Sequence, residues 1–178
     1  MNIRIIAGIY GGRKIDAPGR SSTHAMSERG RNALFNSLGD SIKDATVLDA
    51  FAGSGAIGLE AMSRGAGEVV FVEKDRIAAK IISNNCAALN VKSRVLKASV
   101  AGWMETSKPE VFDIIFADPP YDDPQFSTVT KLFSLLKPSA LMVLSHSGKG
   151  EVPVPSGIVV VDNRSYGSLH LTFFRQDS

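Results

Sequence analysis

The strongest constraint on the fold is an alternation of apolar and amphipathic segments that begins near residue 45 and runs through most of the 178-residue chain. Each short apolar stretch is followed by a segment with helical periodicity. Repeated strand–helix units of this kind predict a mostly parallel sheet with helices on both faces. The clearest apolar stretches are TVLDAF (46–51), EVVFVE (68–73) and FDIIFA (112–117).

The chain ends in two further apolar segments, GIVVVDN (157–163) and SLHLTFFRQ (168–176). The few residues between them leave no room for a crossover helix, so the two strands are predicted to be antiparallel neighbours. The predicted fold is therefore α/β and Rossmann-like. It has a mostly parallel seven-stranded sheet with an antiparallel last strand, and helices on both faces.

Two of the predicted helices have recognisable ends or faces. Ser27 is a suitable N-cap for the helix that follows it, and Gly39 is a suitable end. In the helix predicted over 76–90, Ile77, Ile81 and Ala88 recur on one face.

The first 40 residues are predicted to form a basic extension on a catalytic core of residues 41–178, all within one domain. IRIIAG (3–8) and GGRKIDAP (11–18) predict a hairpin around a glycine turn. Residues 1–36 carry a net charge of +4, whereas the remainder carries −2. This asymmetry favours a polyanionic partner. A solvated surface strand and helix would explain it equally well.

Location and redox state follow from what the sequence lacks. It has no apolar run of the roughly 20 residues that span a bilayer. Its first residues lack the apolar stretch and cleavage site of a signal peptide. The single cysteine, Cys86, cannot form an internal disulfide. A cytoplasmic protein with no membrane association is expected.

A glycine-rich loop predicts a nucleotide-like cofactor. Gly53, Gly55 and Gly58 match G-x-G-x-x-G between a strand and a helix, and Glu73 ends the next strand, where it could bind ribose hydroxyls. Asp49 precedes the loop and would repel a pyrophosphate. S-adenosylmethionine, which has two positive centres, a ribose and no phosphate, fits better. The alternative is that Asp49 only caps the following helix.

The segment DPPY, residues 118–121, follows an almost wholly apolar strand and should lie at the same sheet edge as Asp49 and Glu73. The Asp118 carboxylate and a neighbouring backbone carbonyl could accept the two hydrogens of an exocyclic amine. Pro119 and Pro120 fix the backbone. Tyr121 offers a ring on which a base can stack. The alternative is a strand-to-loop turn with a packing tyrosine.

Together these motifs resemble the bacterial class I S-adenosylmethionine-dependent methyltransferases of the RsmD type. The resemblance rests on RIIAGIYGGRKI, SERGRNALFNSL, LDAFAGSGAIGLEA, VEKD, DPPY and YGSLHLTFF, which together cover almost the whole length. It implies transfer of a methyl group from S-adenosylmethionine, with S-adenosylhomocysteine as product. The implied acceptor is N2 of guanine 966 in 16S ribosomal RNA. The implied partner is that RNA or the assembling small ribosomal subunit, and the implied state is a monomer.

The resemblance also implies roles for individual residues. Catalysis and base positioning fall to Asp118, Pro119, Pro120 and Tyr121. The cofactor would be contacted by Asp49, Ala50, Phe51, Gly53, Ser54, Gly55, Glu73, Lys74, Ser99 and Asp118. RNA would be contacted by Arg4, Arg13, Lys14, Arg29 and Arg31, with Asn36 near the mouth of the site.

The chain departs from the family pattern at four places. HAMS (24–27) stands where R-P-T is usual, and Asn32 where a glutamate is frequent. Ser99 stands where an aspartate or asparagine commonly meets the adenine amine, and YGS (166–168) stands where Y-G-D is frequent. None of these positions belongs to the predicted transfer centre.

Other functions remain open on the sequence alone. Another amino-group methyltransferase, acting on adenine N6 in nucleic acid or on protein, would share DPPY. A non-catalytic RNA-binding assembly module is less favoured, and a nicotinamide-dependent oxidoreductase is disfavoured by Asp49. The histidines His24, His146 and His170 are not spaced as metal ligands, so structural or surface roles and no metal are expected.

Overall fold

The computed structural model describes residues 2–19 and 25–177. His24 and the start of HAMS lie outside these residues. The strands are β1 (Asn2–Arg4), β2 (Lys14–Asp16), β3 (Thr46–Ala50), β4 (Glu68–Glu73), β5 (Arg94–Lys97), β6 (Phe112–Ala117), β7 (Leu136–His146), β8 (Ile158–Tyr166) and β9 (Leu169–Gln176). The helices are α1 (Glu28–Leu38), α2 (Ala56–Ser63), α3 (Arg76–Ala88), α4 (Val100–Thr106) and α5 (Phe126–Leu132), with 3₁₀ turns at Gly39–Ile42 and Phe133–Leu135.

A seven-stranded sheet in the order β5-β4-β3-β6-β7-β9-β8 forms the centre of the molecule. The pairs β3–β4, β4–β5, β3–β6 and β6–β7 are parallel. Strand β9 is antiparallel to both β7 and β8, which confirms the predicted antiparallel last strand. The strand order reverses between β3 and β6, and ligands in open α/β sheets bind at the carboxyl ends of strands at such a point.

Two hydrophobic clusters cover the two faces of the sheet. One contains α1, α2, α3 and the β1–β2 hairpin, and the other contains α4 and α5. Side chains alternate between these clusters along each central strand, so that Val47 faces the first and Leu48 the second. No helix within residues 2–19 and 25–177 is long and apolar enough to cross a bilayer.

Helix α3 packs on the sheet through a face other than the one on which Ile77, Ile81 and Ala88 recur. Ala78, Ala79, Ile82 and Cys86 are buried, whereas Ile77 is 50% exposed. Two small alanines allow the helix to approach the sheet closely, which periodicity of large apolar residues does not detect.

The ends of α1 agree with the sequence. The Ser27 hydroxyl accepts a hydrogen bond from the Gly30 N–H at 3.0 Å, and Gly39 ends the helix. Gly30 lies against Leu169 at the start of β9, and Gly39 lines a cleft with Arg64 at the end of α2, so the helix runs from the carboxyl edge of the sheet toward its amino edge.

Candidate active site

Three carboxylates lie at the carboxyl ends of three adjacent strands. Asp49 is near the end of β3, Glu73 ends β4, and Asp118 directly follows β6. The negative charges of Asp118 and Glu73 both raise the pKa of Asp49, in addition to the larger effect of burial. The predicted clustering of these residues is confirmed. A cationic ligand at this edge would relieve the repulsion between them.

Asp49 also caps the following helix, as the alternative interpretation proposed. Its Oδ2 atom accepts a hydrogen bond from the Gly58 N–H at 2.9 Å. Burial, which the Gly58 bond opposes, raises the pKa of Asp49 well above its usual range. A Cβ at Gly58 would lie 2.3 Å from the Phe71 ring and 2.9 Å from Asp49 Oδ2, so only glycine fits this close approach.

The loop between β3 and α2 has unusual backbone geometry. Phe51 adopts a φ of 58°, Gly53 a φ of 57° and Gly55 a φ of 79°. A left-handed φ is rare for a bulky residue such as Phe51 and is typical of a functional turn. The Ala52 N–H donates to the Val72 carbonyl at 3.0 Å, which holds the loop against the end of β4. This loop contains the predicted cofactor residues Phe51, Gly53, Ser54 and Gly55, and Ala50 is the last residue of β3 before it.

Backbone donors hold the Glu73 carboxylate in place. Its Oε1 accepts from the Gly53 N–H at 2.8 Å, and its Oε2 accepts from the Asp75 N–H at 2.7 Å. The carboxylate is buried but retains lone pairs that could accept hydrogen bonds from a ribose diol. Glu73 therefore shapes the glycine loop and can also contact a ligand.

Replacing Glu73 with glutamine is expected to weaken S-adenosylmethionine binding at least about tenfold. A glutamine has one acceptor oxygen, so either the Gly53 or the Asp75 N–H would lose its partner. Isothermal titration calorimetry measures the change, with Glu105→Gln on the exposed side of α4 as the matched control. An unchanged affinity in Glu73→Gln would contradict the role assigned to this carboxylate.

Two other predicted cofactor residues lie at neighbouring positions of the same edge. Lys74 follows Glu73 and is exposed. Ser99 is also exposed and serves as the N-cap of α4, where its hydroxyl accepts from the Gly102 N–H at 3.0 Å. Their contacts with a cofactor stay predictions.

The DPPY segment joins a half-buried acid to an exposed ring. Desolvation raises the pKa of the partly accessible Asp118 to about 6, and the Ser145 hydroxyl opposes this rise. Pro119 is buried and Pro120 is exposed. The Tyr121 side chain is 43% exposed, and its hydroxyl lies 3.3 Å from Ser145 Oγ. The ring can therefore meet a planar ligand while its hydroxyl stays anchored.

Arg31, predicted to contact RNA, is instead part of the core. It is 2% exposed, its Nη1 atom donates to Glu60 Oε1 at 3.1 Å, and its Nη2 atom donates to the Arg4 carbonyl at 3.0 Å. A guanidinium enclosed in this way cannot reach a phosphate. The prediction for Arg31 was wrong because its partner, Glu60, lies 29 residues away and no local pattern reveals the contact.

Asn36 does not lie near the mouth of the site. It is near the end of α1, in a surface cleft that Arg64, at the end of α2, also lines. Helix α2 starts at the glycine loop, so its far end lies at the amino edge of the sheet. Asn36 is therefore on the opposite side from Asp118, and its predicted position was wrong.

The remaining basic residues do not form one continuous surface. Arg4 pairs with Glu28 at the start of α1, next to the exposed Arg29. Arg13 is exposed and donates to the Ala88 carbonyl at 3.1 Å, at the end of α3 and hence at the amino edge. Lys14, opposite Arg4 in the hairpin, is exposed. Arg4 and Arg29 are thus on the side of the molecule that carries the site.

The sequence did not predict that His146 and His170 would stack. Their ring centroids are 5.7 Å apart, at the ends of β7 and β9. They are 24 residues apart in sequence, so only the antiparallel pairing of the two strands brings them together. The pair lies one residue beyond Ser145, on the side of the site where β6 and β7 end and β9 begins.

Comparison with known proteins agrees with this fold and site. A family model described as "Conserved hypothetical protein 95" matches residues 3–175. The chain belongs to this family. Proteins named Ribosomal RNA small subunit methyltransferase D are among its relatives, which confirms the predicted resemblance to the RsmD type.

The relatives differ in the share of their own length that this chain matches. The Escherichia coli relative is 39% identical over 67% of this chain, and the match spans 60% of that protein. The Haemophilus influenzae relative is 30% identical over 93% of this chain and 89% of its own length. The solved structure of the yhhF protein of Escherichia coli has a TM-score of 0.91 and 31% identity, and covers 100% of this chain and 99% of its own.

Proposed function

We propose that this protein transfers a methyl group from S-adenosylmethionine to the exocyclic N2 of a guanine in small-subunit ribosomal RNA. Guanine 966 is the specific target that we propose. The observation that carries the proposal is the placement of Asp118 and Tyr121 beside a glycine loop that two further carboxylates border. We further propose that the protein acts as a cytoplasmic monomer.

The donor set of the site fits S-adenosylmethionine. The acidic groups of Asp49 and Glu73 border the loop and would oppose a pyrophosphate, whereas a sulfonium or an ammonium bound there would favour the ionised form of Asp49. Glu73 has free lone pairs for the ribose hydroxyls, and the glycine loop permits close backbone approach. When bound, S-adenosylmethionine supplies an electrophilic methyl group.

The chain's own residues would bind and orient the acceptor amine. The ionised Asp118 carboxylate accepts one hydrogen of the amine, and a carbonyl of the DPPY backbone accepts the other. The nitrogen lone pair then points away from both acceptors, toward the cofactor side of the sheet edge. The Tyr121 ring supports the base by stacking, which typically contributes about 1–3 kcal/mol. Catalysis depends mainly on positioning and on electrostatics.

Family membership supports ribosomal RNA as the substrate. The relatives from Escherichia coli and Haemophilus influenzae carry that substrate in their names, and the Haemophilus match spans most of both chains. The exposed Arg29 and Arg4, on the side of the site, could bind phosphates. Each such contact makes binding weaker at higher salt.

A second candidate is methylation of another amino group, such as adenine N6. Its supporting observation is that the Asp118 carboxylate could accept the hydrogens of any exocyclic amine, and the Tyr121 ring could stack on any base. The experiment that separates the two uses small ribosomal subunits from cells lacking this methylation and methyl-labelled S-adenosylmethionine. Digestion to nucleosides should give labelled N2-methylguanosine at one site. Label in adenosine would instead favour the second candidate.

Methyl transfer is expected to rise with pH through about 6 and then level off. Asp118 has its pKa raised to about 6 by desolvation, and only its ionised form can accept the amine hydrogen. Acid therefore removes the acceptor, and activity falls as pH drops below this value. Single-turnover rates between pH 5 and 8 measure the midpoint. A rate that stays constant down to pH 5 would contradict the role of an ionised Asp118.

A further inference from the structure

Ser145, at the end of β7, is a buried polar residue beside the proposed transfer centre. It is 3% exposed. The parallel register of β6 and β7 pairs Ala117 with Leu144, so the next residues, Asp118 and Ser145, lie side by side. Its position follows directly from strand pairing and does not depend on a mobile loop.

The Ser145 hydroxyl lies close to both functional ends of DPPY. It is 3.3 Å from the Tyr121 hydroxyl, and the strand register places it beside the Asp118 carboxyl, whose pKa it lowers. A serine hydroxyl has one hydrogen to donate and can accept others. If that hydrogen goes to Asp118, Tyr121 must be the donor in the second contact. The order of donation is then Tyr121 to Ser145 to Asp118.

This arrangement gives Asp118 a donor that favours its charged form. Within the described part of the chain, Ser145 is the one side chain that opposes the desolvation of Asp118. The same hydroxyl lies 3.3 Å from the hydroxyl of Tyr121, a residue that is 43% exposed. The amine acceptor and the stacking ring thus share one polar neighbour, Ser145 Oγ.

The strand end that carries Ser145 is itself fixed. His146 Nε2 lies 2.8 Å from Thr172 Oγ1, and Thr172 donates to Asn163 Oδ1 at 2.8 Å. Since the Thr172 hydrogen is used there, His146 Nε2 is the donor. His146 Nδ1 accepts from the Gly148 N–H at 3.1 Å, which assigns a neutral imidazole. Burial and the neighbouring His170 lower the pKa of His146, in agreement with that state.

We propose that Ser145 is a positioning residue for methyl transfer, which orients the ionised Asp118 carboxylate and anchors Tyr121 at the same time. The inference rests on the proposed function for its kinetic consequence. The contact between Ser145 and Asp118 does not rest on it, and can be tested in the protein alone.

The test replaces Ser145 with alanine and measures two quantities. The carbon-13 chemical shift of the Asp118 carboxyl, followed against pH without substrate, gives its pKa directly. Loss of a hydrogen bond to the charged form should move this midpoint upward by about one pH unit. The acid limb of the single-turnover rate should move upward by the same amount. The maximal rate should fall about tenfold, because the acceptor and the ring lose their orientation.

Three further variants separate positioning from general damage. Ser145→Thr keeps the hydroxyl and should restore the midpoint. Tyr121→Phe keeps the ring and leaves the Ser145–Asp118 contact, so the midpoint should stay near the wild-type value while KM for RNA rises. Ser147→Ala is the matched control, since that hydroxyl contacts only the Lys149 N–H, at 3.3 Å, among the described residues. S-adenosylmethionine affinity should be unchanged in all of them.

The outcomes are distinct. A wild-type carboxyl midpoint in Ser145→Ala would overturn the proposal, whatever the rate. A raised midpoint with a wild-type rate and pH profile would also overturn it, because the contact would then have no role in transfer. If the wild-type protein methylates no RNA, the proposed function fails. The carboxyl titration then still decides whether Ser145 controls the ionisation of Asp118.

Discussion

Asp118→Ala is expected to lower the rate of methyl transfer at least about a hundredfold while S-adenosylmethionine binding changes by less than about threefold. The carboxylate at the end of β6 accepts a hydrogen of the target amine, and alanine has no acceptor to replace it. Loss of one preorganised electrostatic contact at a reacting centre commonly costs two to three orders of magnitude in rate. Cofactor binding depends on Asp49, Glu73 and the glycine loop, which this change leaves intact.

Single-turnover rates with small ribosomal subunits and calorimetric titration with S-adenosylmethionine measure the two quantities separately. Asp122→Ala is the matched control, because Asp122 is an exposed acid four residues further along the same segment. Normal transfer by Asp118→Ala would refute the assigned role. If Asp118→Ala instead bound S-adenosylmethionine weakly but transferred methyl groups at the wild-type rate once the cofactor was saturating, Asp118 would belong to the cofactor site.

The position of the site could be predicted from sequence because strand ends are visible as the ends of apolar runs. Asp49, Glu73 and Asp118 each follow such a run, and the carboxyl ends of parallel strands meet at one edge. A second local rule, that a short connection leaves no room for a crossover helix, predicted the antiparallel pairing of the last two strands. These features depend on local order along the chain.

Features that depend on contacts between distant segments were not predictable in this way. The family resemblance implied that Arg31 contacts RNA, but the structure pairs its guanidinium with the buried Glu60 on α2. Ser145 and His170 had no local signal, since their partners come from β6 and β7 only after the sheet forms. Strand register and helix–helix contact, which single-sequence patterns do not specify, determine the chemistry of these residues.

The buried ion pair between Arg31 and Glu60 also predicts the largest change in stability among the variants considered. Glu60 is fully buried, and its two oxygens accept from four donors: the Ile6 and Ala7 N–H groups at 2.9 and 3.1 Å, Arg31 Nη1 at 3.1 Å and Arg64 Nε at 2.9 Å. These contacts join the N-terminal extension and α1 to the helix that follows the glycine loop.

Replacing Glu60 with glutamine is expected to lower the free energy of unfolding by about 3–5 kcal/mol. The change removes the charge that compensates the buried Arg31 guanidinium and places an amide N–H₂ against donors. A domain of this kind typically has only about 5–15 kcal/mol of stability, so a large share would be lost. Urea unfolding followed by circular dichroism measures the difference.

The matched control is Glu68→Gln, because Glu68 pairs with Arg94 at 3.2 Å but both side chains are about half exposed. Water solvates such a pair well, so its loss should cost less than about 1 kcal/mol. The loss of unfolding free energy in Arg31→Met should lie between those of Glu60→Gln and Glu68→Gln. The change removes the buried cation but leaves Glu60 with three of its donors. Equal stabilities for Glu60→Gln and Glu68→Gln would contradict the view that this buried carboxylate holds the N-terminal extension to α2.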